Sequence, residues 1–339
     1  MSGTSSEAKP RGLDGVVAAQ TRMSHVDGQN GVLIIGGYEL KELAGKVTFE
    51  EAAFLIWKGR LPSKDEKDEL TRAIATQRAL PETTLEIVRE AAKKAAPPID
   101  TLRMACATLS LDLRNPNDIS PGADFDNAKM LMARFPTIVA AHTRFTAGLE
   151  PIAPRTDLSL AGNFLYMVFG KEPDPIAAKA LDTYWVTVID HGMNASTFAG
   201  RVIASTRSDM VSALTGAIGA LKGPLHGGAP GPVLDMLLEI KNDENAEPWV
   251  RNELAAGRRI MGFGHRVYKV RDPRAEVLSA VAEEMGGAVL HDKHLFDLAR
   301  EVERTVLRVL DEVKPGRKLK TNVEFYTALV LQSLGLKPK

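Results

Sequence analysis

The sequence predicts a mainly α-helical protein. Two apolar-periodic runs open on a Ser or Thr followed three residues later by Glu, the spacing of a helix-starting capping box. An apolar stripe at helical spacing recurs late in the chain, and prolines punctuate the runs. The 339 residues suffice for one large or two medium domains. Aromatics are only 6%, so the core must be built mostly from Ala, Leu, Val and Ile.

Taken in order, residues 1–12 are polar and read as a flexible tail. In "GVLIIGGYEL" (31–40) an apolar run bounded by Gly predicts a short strand or hairpin. "TFEEAAFLIWKG" (48–59) pairs Thr48 with Glu51 and closes on Gly59, and "SKDEKDELTRAIATQ" (63–77) pairs Ser63 with Glu66; each predicts a helix. Prolines 97, 98, 116, 121, 136, 151, 154, 173 and 175 read as helix boundaries. "DMVSALTGAIGALKGPLHGGAPG" (209–231) predicts a helix capped by Asp209 and ended by Gly223 and Pro224. Its small residues Ala213, Gly216, Ala217, Gly219 and Ala220 suit close approach of another helix, including one from a second subunit. "VERTVLRVLDEV" (302–313) sets Val302, Val306, Val309, Leu310 and Val313 on one stripe. No internal repeat or long linker interrupts the chain.

Composition narrows the function class. Formal net charge is zero, which argues against nucleic acid or an anionic membrane as the main partner. Cys106 is the only cysteine, so no intrachain disulfide forms, in keeping with a reducing compartment. The opening "MSGTSSEAKPRG" has no apolar h-region, and no apolar run reaches the roughly 18 residues of a membrane span. A soluble, cytoplasmic protein is expected.

Of the seven histidines, three have unusual neighbours: His191 in "VIDHGMNAS", His226 in "GPLHGGAPG" and His265 in "MGFGHRVYKVRDPRA". Glycine beside histidine leaves the ring accessible, and a neutral imidazole can donate to an oxygen or act as acid or base. A histidine completing a turn is the plainer reading of each taken singly. The Gly-rich "GPLHGGAPG" lacks the GK[ST] ending of a P-loop. His291 and His294 in "HDKHL" have a metal-pair spacing but no third ligand nearby, so a solvated helix end is preferred and no metal site is expected. Arg266, Lys269, Arg271 and Arg274 suit anionic substrate groups, and "KPGRKLK" (314–320) is a solvated loop or a phosphate contact.

Five stretches together resemble the citrate synthase family. "GFGHRVYKVRDPR" (262–274) is similar to its signature segment, "DHGMNASTFAGRVIAST" (190–206) to its "DHxxNASTF…RV" segment, and "GALKGPLHGGA" (219–229) to its central catalytic loop. "TNVEFYTALVL" (321–331) resembles its "PNVDFYSGIVL", and residues 12–40 resemble its opening. The resemblance implies a multihelical, two-domain, citrate synthase-like homodimer, with a large domain over 1–225 plus 326–339 and a small one over 226–325 that closes on the site.

It also implies the chemistry: acetyl-CoA condenses with oxaloacetate, and citryl-CoA is hydrolysed to citrate and CoA. Glu324 is then the base, His226 the donor to the enolate oxygen, and His265 the group that polarises the ketone. His191 and Arg274 hold the substrate carboxylates. Met261, Gly262 and Gly264 line the CoA site with Lys318 and Lys320 as phosphate contacts, and no tightly bound cofactor is implied. Two other readings share the scaffold: a 2-methylcitrate synthase using propionyl-CoA, and a non-catalytic CoA-binding paralogue. Glu324 stands where the family normally has Asp, and "IIGGY" (34–38) where it often has "RGY". The family usually continues past the position of Leu336 with a tail carrying two more substrate arginines. Taken as a whole protein, the chain is expected to bind oxaloacetate weakly and to show apolar surface beside its last residues.

Overall fold

The computed structural model describes residues 16–223, 226, 230–288 and 293–336. The polar opening and His291 lie outside them. The chain begins with a three-stranded antiparallel sheet in the order β1 (Ser24–Asp27), β2 (Val32–Ile35), β3 (Tyr38–Glu39). The register pairs Asp27 with Val32 and Ile35 with Tyr38, so the predicted hairpin is present with one more strand before it. Helices follow: α1 (Leu40–Leu43), α2 (Phe49–Lys58), α3 (Lys64–Ala75), α4 (Glu82–Lys93), α5 (Pro98–Thr108), α6 (Pro121–Thr146), α7 (Leu160–Phe169) and α8 (Pro175–Thr187). After these come α9 (Ala195–Ser205), α10 (Met210–Leu221), α11 (Pro230–Ile240), α12 (Ala246–Ala255), α13 (Pro273–Ala288), α14 (Lys293–Val313) and α15 (Val323–Ser333).

The starts and stops follow from side-chain chemistry. Thr48 accepts from the Glu51 N–H, and Glu51 accepts from the Thr48 N–H at 2.8 Å, which closes the expected capping box of α2. Ser63 and Glu66 repeat it at α3. Gly59 ends α2 in the left-handed conformation, φ 75°, which glycine adopts without a Cβ penalty. Asp209 caps α10 as predicted, accepting from the Ser212 N–H at 2.9 Å.

Two expectations need correction. Pro136 is no boundary: it lies inside α6, a helix of 26 residues. The missing N–H and ring clash there cost about 3 kcal/mol, offset by packing of α6 against α3, α4, α5, α7 and α10. On α14, Val302, Val306, Val309 and Leu310 are buried as the stripe requires, but Val313 is exposed at the helix end.

One apolar core runs from α7 and α8 through α11–α15; a second joins α4, α5, α6 and α10. A third seats β2, α1 and α2 against Val186 of α8. Within this frame α13 packs on α8 and α15, which sets the start of α13 beside the start of α15. An apolar cavity of about 390 Å³ lies where α6, α8 and α15 meet, lined by Pro136, Phe164, Trp185, Leu331 and Leu336 among others. No helix among the described residues is long and apolar enough to cross a membrane.

Candidate active site

Four segments carry the polar cluster. The first follows α8. Gly192, at φ 73°, turns the chain after His191, and Asn194 caps α9 by accepting from the Thr197 N–H at 2.9 Å. The turn is tied to the hairpin that β1 makes with β2, since the Gly192 N–H donates to Ser24 Oγ at 2.9 Å. The second segment, between α12 and α13, carries His265 and leads into Arg274. It too rests on the hairpin, where the Lys269 N–H donates to the Gly28 carbonyl at 2.8 Å. A Cβ on Gly28 would stand 2.3 Å from the Val267 carbonyl oxygen, so only glycine allows this approach.

The third segment is the run 320–322, with α15 directly behind it. Phe263 pairs with Thr321 as an antiparallel bridge, the Gly264 N–H donates to the Lys320 carbonyl at 2.8 Å, and the Asn322 N–H donates to the Gly262 carbonyl at 2.9 Å. Asn322 Nδ2 adds a bond to the Gly264 carbonyl at 2.9 Å, while its Oδ1 caps α15 by accepting from the Glu324 N–H at 3.0 Å. Gly262 and Gly264 both have positive φ, 83° and 86°. A Cβ on the first would meet Phe325 and on the second Leu319. The fourth segment is the turn at His226 after α10.

The polar cluster assembles from these. His191, His265 and Tyr268 pack together, His191 edge-on to the other two rings, with ring centroids 4.9–5.6 Å apart. His191 Nε2 shares a hydrogen bond with the Tyr268 hydroxyl at 3.0 Å. Burial, with help from the Arg274 charge, pushes the His191 pKa down to about 4, so the ring is neutral at neutral pH. Burial also lowers that of His265. His265 Nδ1 accepts from the backbone N–H groups of Val267 at 3.0 Å and Tyr268 at 3.1 Å, so the neutral ring carries its proton on Nε2. Arg274 Nη2 lies 3.4 Å from that Nε2. Both are donors, so neither satisfies the other, and the pair suits a ligand that presents oxygens to both.

Arg274 is held from behind. Asp272, wholly buried, accepts from Arg274 Nη2 at 2.8 Å and Nε at 3.1 Å. His226 has a comparable fixture: the Ser196 N–H, which can only donate, points at its Nε2 at 3.2 Å. The neutral ring therefore presents its proton on Nδ1. Glu324, in the first turn of α15, is half-buried. Burial raises its carboxyl above the ordinary value, Arg274 opposes this and Asp272 adds to it. Desolvation here outweighs the favourable end of the helix dipole.

The structure thus brings His191, His265 and Arg274 into one cluster, with Glu324 within electrostatic reach of Arg274 and His226 held at the start of α9, a few residues beyond His191. Met261 is half-buried and packs against the main core. Lys320 pairs with Asp311 at 3.2 Å, and Lys318 is exposed on the loop before it. His25 and His294 are exposed and His142 is buried in α6, away from the cluster. No group of three or more His, Cys, Asp or Glu that could hold a metal occurs among the described residues. Sequence reasoning missed Tyr268 and Asp272, although both lie inside "GFGHRVYKVRDPR". It also missed Ser196, inside "DHGMNASTFAGRVIAST", and Ser24 and Gly28, within 12–40, where the turn signal "DG" at 27–28 marks only the turn.

A family profile described as "Citrate synthase, C-terminal domain" matches residues 12–339. "Citrate synthase 2" of Bacillus subtilis (strain 168) is 40% identical over 326 residues, covering 96% of this chain and 85% of that relative. "2-methylcitrate synthase" of Mycobacterium tuberculosis (strain ATCC 25618 / H37Rv) is 40% identical over 276 residues, 81% of this chain and 70% of that one. Among solved structures, citrate synthase from Pyrobaculum aerophilum superposes with a TM-score of 0.86 at 37% identity, covering 96% of this chain and 82% of that one. The ternary complex of the Thermoplasma acidophilum citrate synthase with carboxymethyl coenzyme A and oxaloacetate superposes at 0.87 with 27% identity, covering 97% and 86%.

Proposed function

The chain belongs to the citrate synthase family, and from that premise we propose how its own residues divide the work of the reaction. It is an acyltransferase that condenses acetyl-CoA with oxaloacetate and hydrolyses the resulting thioester to citrate and CoA. The methyl group of acetyl-CoA is a weak carbon acid, so a base must act while a donor stabilises the enolate oxygen. Glu324 takes the methyl proton, and His226 donates from Nδ1 to the thioester oxygen as negative charge develops on it.

The enolate carbon then attacks the ketone carbon of oxaloacetate, whose oxygen receives the hydrogen bond of His265 Nε2. Arg274 and His191 hold the substrate carboxylates. Water finally attacks the thioester carbonyl and CoA leaves. Side-chain acids, bases and donors suffice for each step, so the reading includes no resident cofactor. Met261, Gly262 and Gly264 would shape the floor of the CoA site, with Lys318 and Lys320 toward its phosphates. The observation that carries this assignment is the meeting of two donors, His265 Nε2 and Arg274 Nη2, 3.4 Å apart and beside the His191 ring.

A small domain over 226–325 that closes to exclude water is part of the proposal; an enolate and a thioester must not meet water early. So are a cytoplasmic location and a homodimer. Supporting the dimer, α9 buries no residue in the single chain, leaving Phe198 and Val202 exposed beside the small residues of α10. Thiol release from acetyl-CoA with oxaloacetate is the test. A folded sample that is inert, and stays inert as Glu324→Asp, would leave the non-catalytic reading instead. Equal identity to a citrate and a 2-methylcitrate synthase supports a second substrate, propionyl-CoA. One methylene discriminates by only about 1–3 kcal/mol, and turnover with the two thioesters decides between them.

A further inference from the structure

We infer that Glu303 is a positioning residue that fixes the enolising carboxylate and the oxaloacetate clamp relative to each other; this rests on the roles proposed above for Glu324 and Arg274. Glu303 lies on α14, 7% exposed, beside Val302 and Val306 in the apolar stripe. Its Oε1 accepts from the Thr321 hydroxyl and its Oε2 from the Tyr326 hydroxyl, each at 2.6 Å. Those two residues bracket Glu324 along the chain. Arg271 Nη2 stands 3.2 Å from Oε1, with its guanidinium 5.7 Å from the centroid of the Tyr326 ring.

Thr321 carries the connection onward. Its carbonyl accepts from the Asp272 N–H at 3.2 Å, and Asp272 holds the Arg274 guanidinium. One buried carboxylate is therefore bonded on both sides of the proposed base and, through Thr321 and then Asp272, to the proposed substrate arginine. Short bonds to a charged acceptor are about twice as strong as neutral ones, and a buried charge left unpaired is unfavourable, so the partners move with it. A glutamine would not reproduce this arrangement. It has one acceptor oxygen, and its NH₂ would face Arg271 or a hydroxyl that must turn around.

The experiment compares the full chain with Glu303→Gln, Thr321→Val and Tyr326→Phe. Glu303→Gln is expected to lower kcat about 10- to 100-fold, the effect of moving a reacting group by a fraction of an ångström to 1 Å. Acetyl-CoA KM is expected to stay within about threefold, as befits a change at the chemical step. Thr321→Val and Tyr326→Phe should each give part of the fall, and adding either to Glu303→Gln should lower kcat no further, because all act through one carboxylate. Hydrogen exchange read on peptides spanning 260–275 and 318–326, without substrate, should quicken in both segments for Glu303→Gln. Unchanged exchange in both, or a kcat that falls only with the folded fraction, overturns the inference. If Glu303→Gln fails to fold, the two hydroxyl variants decide by the same readouts. If the wild-type chain releases no thiol, the function proposed above fails, while the exchange result still decides this inference.

Discussion

Glu324 must be ionised to take a proton, and burial raises its pKa above the ordinary 4.5. Activity is therefore expected to fall as pH drops through a value above 4.5, read as the acid limb of kcat against pH. Glu324→Gln should lose about 10²- to 10⁴-fold in kcat, the usual worth of a positioned base, with oxaloacetate binding by calorimetry retained. His191 gives a stability prediction of definite sign. Unfolded, it takes a proton near 6.5; folded, only near 4. Between those values the unfolded chain binds more protons, so stability falls as pH falls through that window. Glu324 acts in the opposite sense, because its raised pKa makes the folded chain the better proton acceptor at its own titration. His191→Gln should therefore lose less Tm than wild type between pH 7 and pH 4.5, measured by thermal scans of both proteins.

At the scale of elements, the β1–β2 hairpin supports the site from outside it. Ser24 holds the His191 turn and the Gly28 carbonyl holds the His265 loop. Gly28→Ala would press a methyl group into the Val267 carbonyl. Such overpacking is expected to cost about 1–3 kcal/mol, seen as a lower denaturant midpoint, with a raised KM for oxaloacetate as the loop gives way. The helices were legible wherever a local rule decides: the Thr48 and Ser63 boxes, the Gly59 stop and the Asp209 cap are each set by neighbours within a few residues. Pro136 was misread because tertiary packing on α6 overrides a local rule. Gly28 was illegible for the same kind of reason, since the atom it must avoid belongs to residue 267. His191, His226 and His265 stood out by the glycines near them and Arg274 as a cation suited to anionic groups, while their expected roles, and Glu324, came from resemblance to known motifs. Their supports Tyr268, Asp272 and Ser196 were not, because their significance lies in the partner each contacts in space.

At the scale of the whole molecule, the unburied face of α9 carries the prediction for assembly. Val202→Glu should convert a dimer to monomer in sedimentation at micromolar concentration, because a charge in an apolar contact has no partner there; a wild-type chain that sediments as a monomer removes the premise. The bond from Lys269 to Gly28 joins residues far apart in the sequence. Contacts of that span are slow to form, because chain closure precedes any gain from them. On a ribosome adding about 5–20 residues per second, the hairpin waits until Lys269 has been added before its second partner exists. Helices α2–α8 can be in place long before then. Catalytic competence should thus come only once α15 has been made, and any polypeptide halted short of α15 would expose a half-built cleft to the folding machinery of the cell.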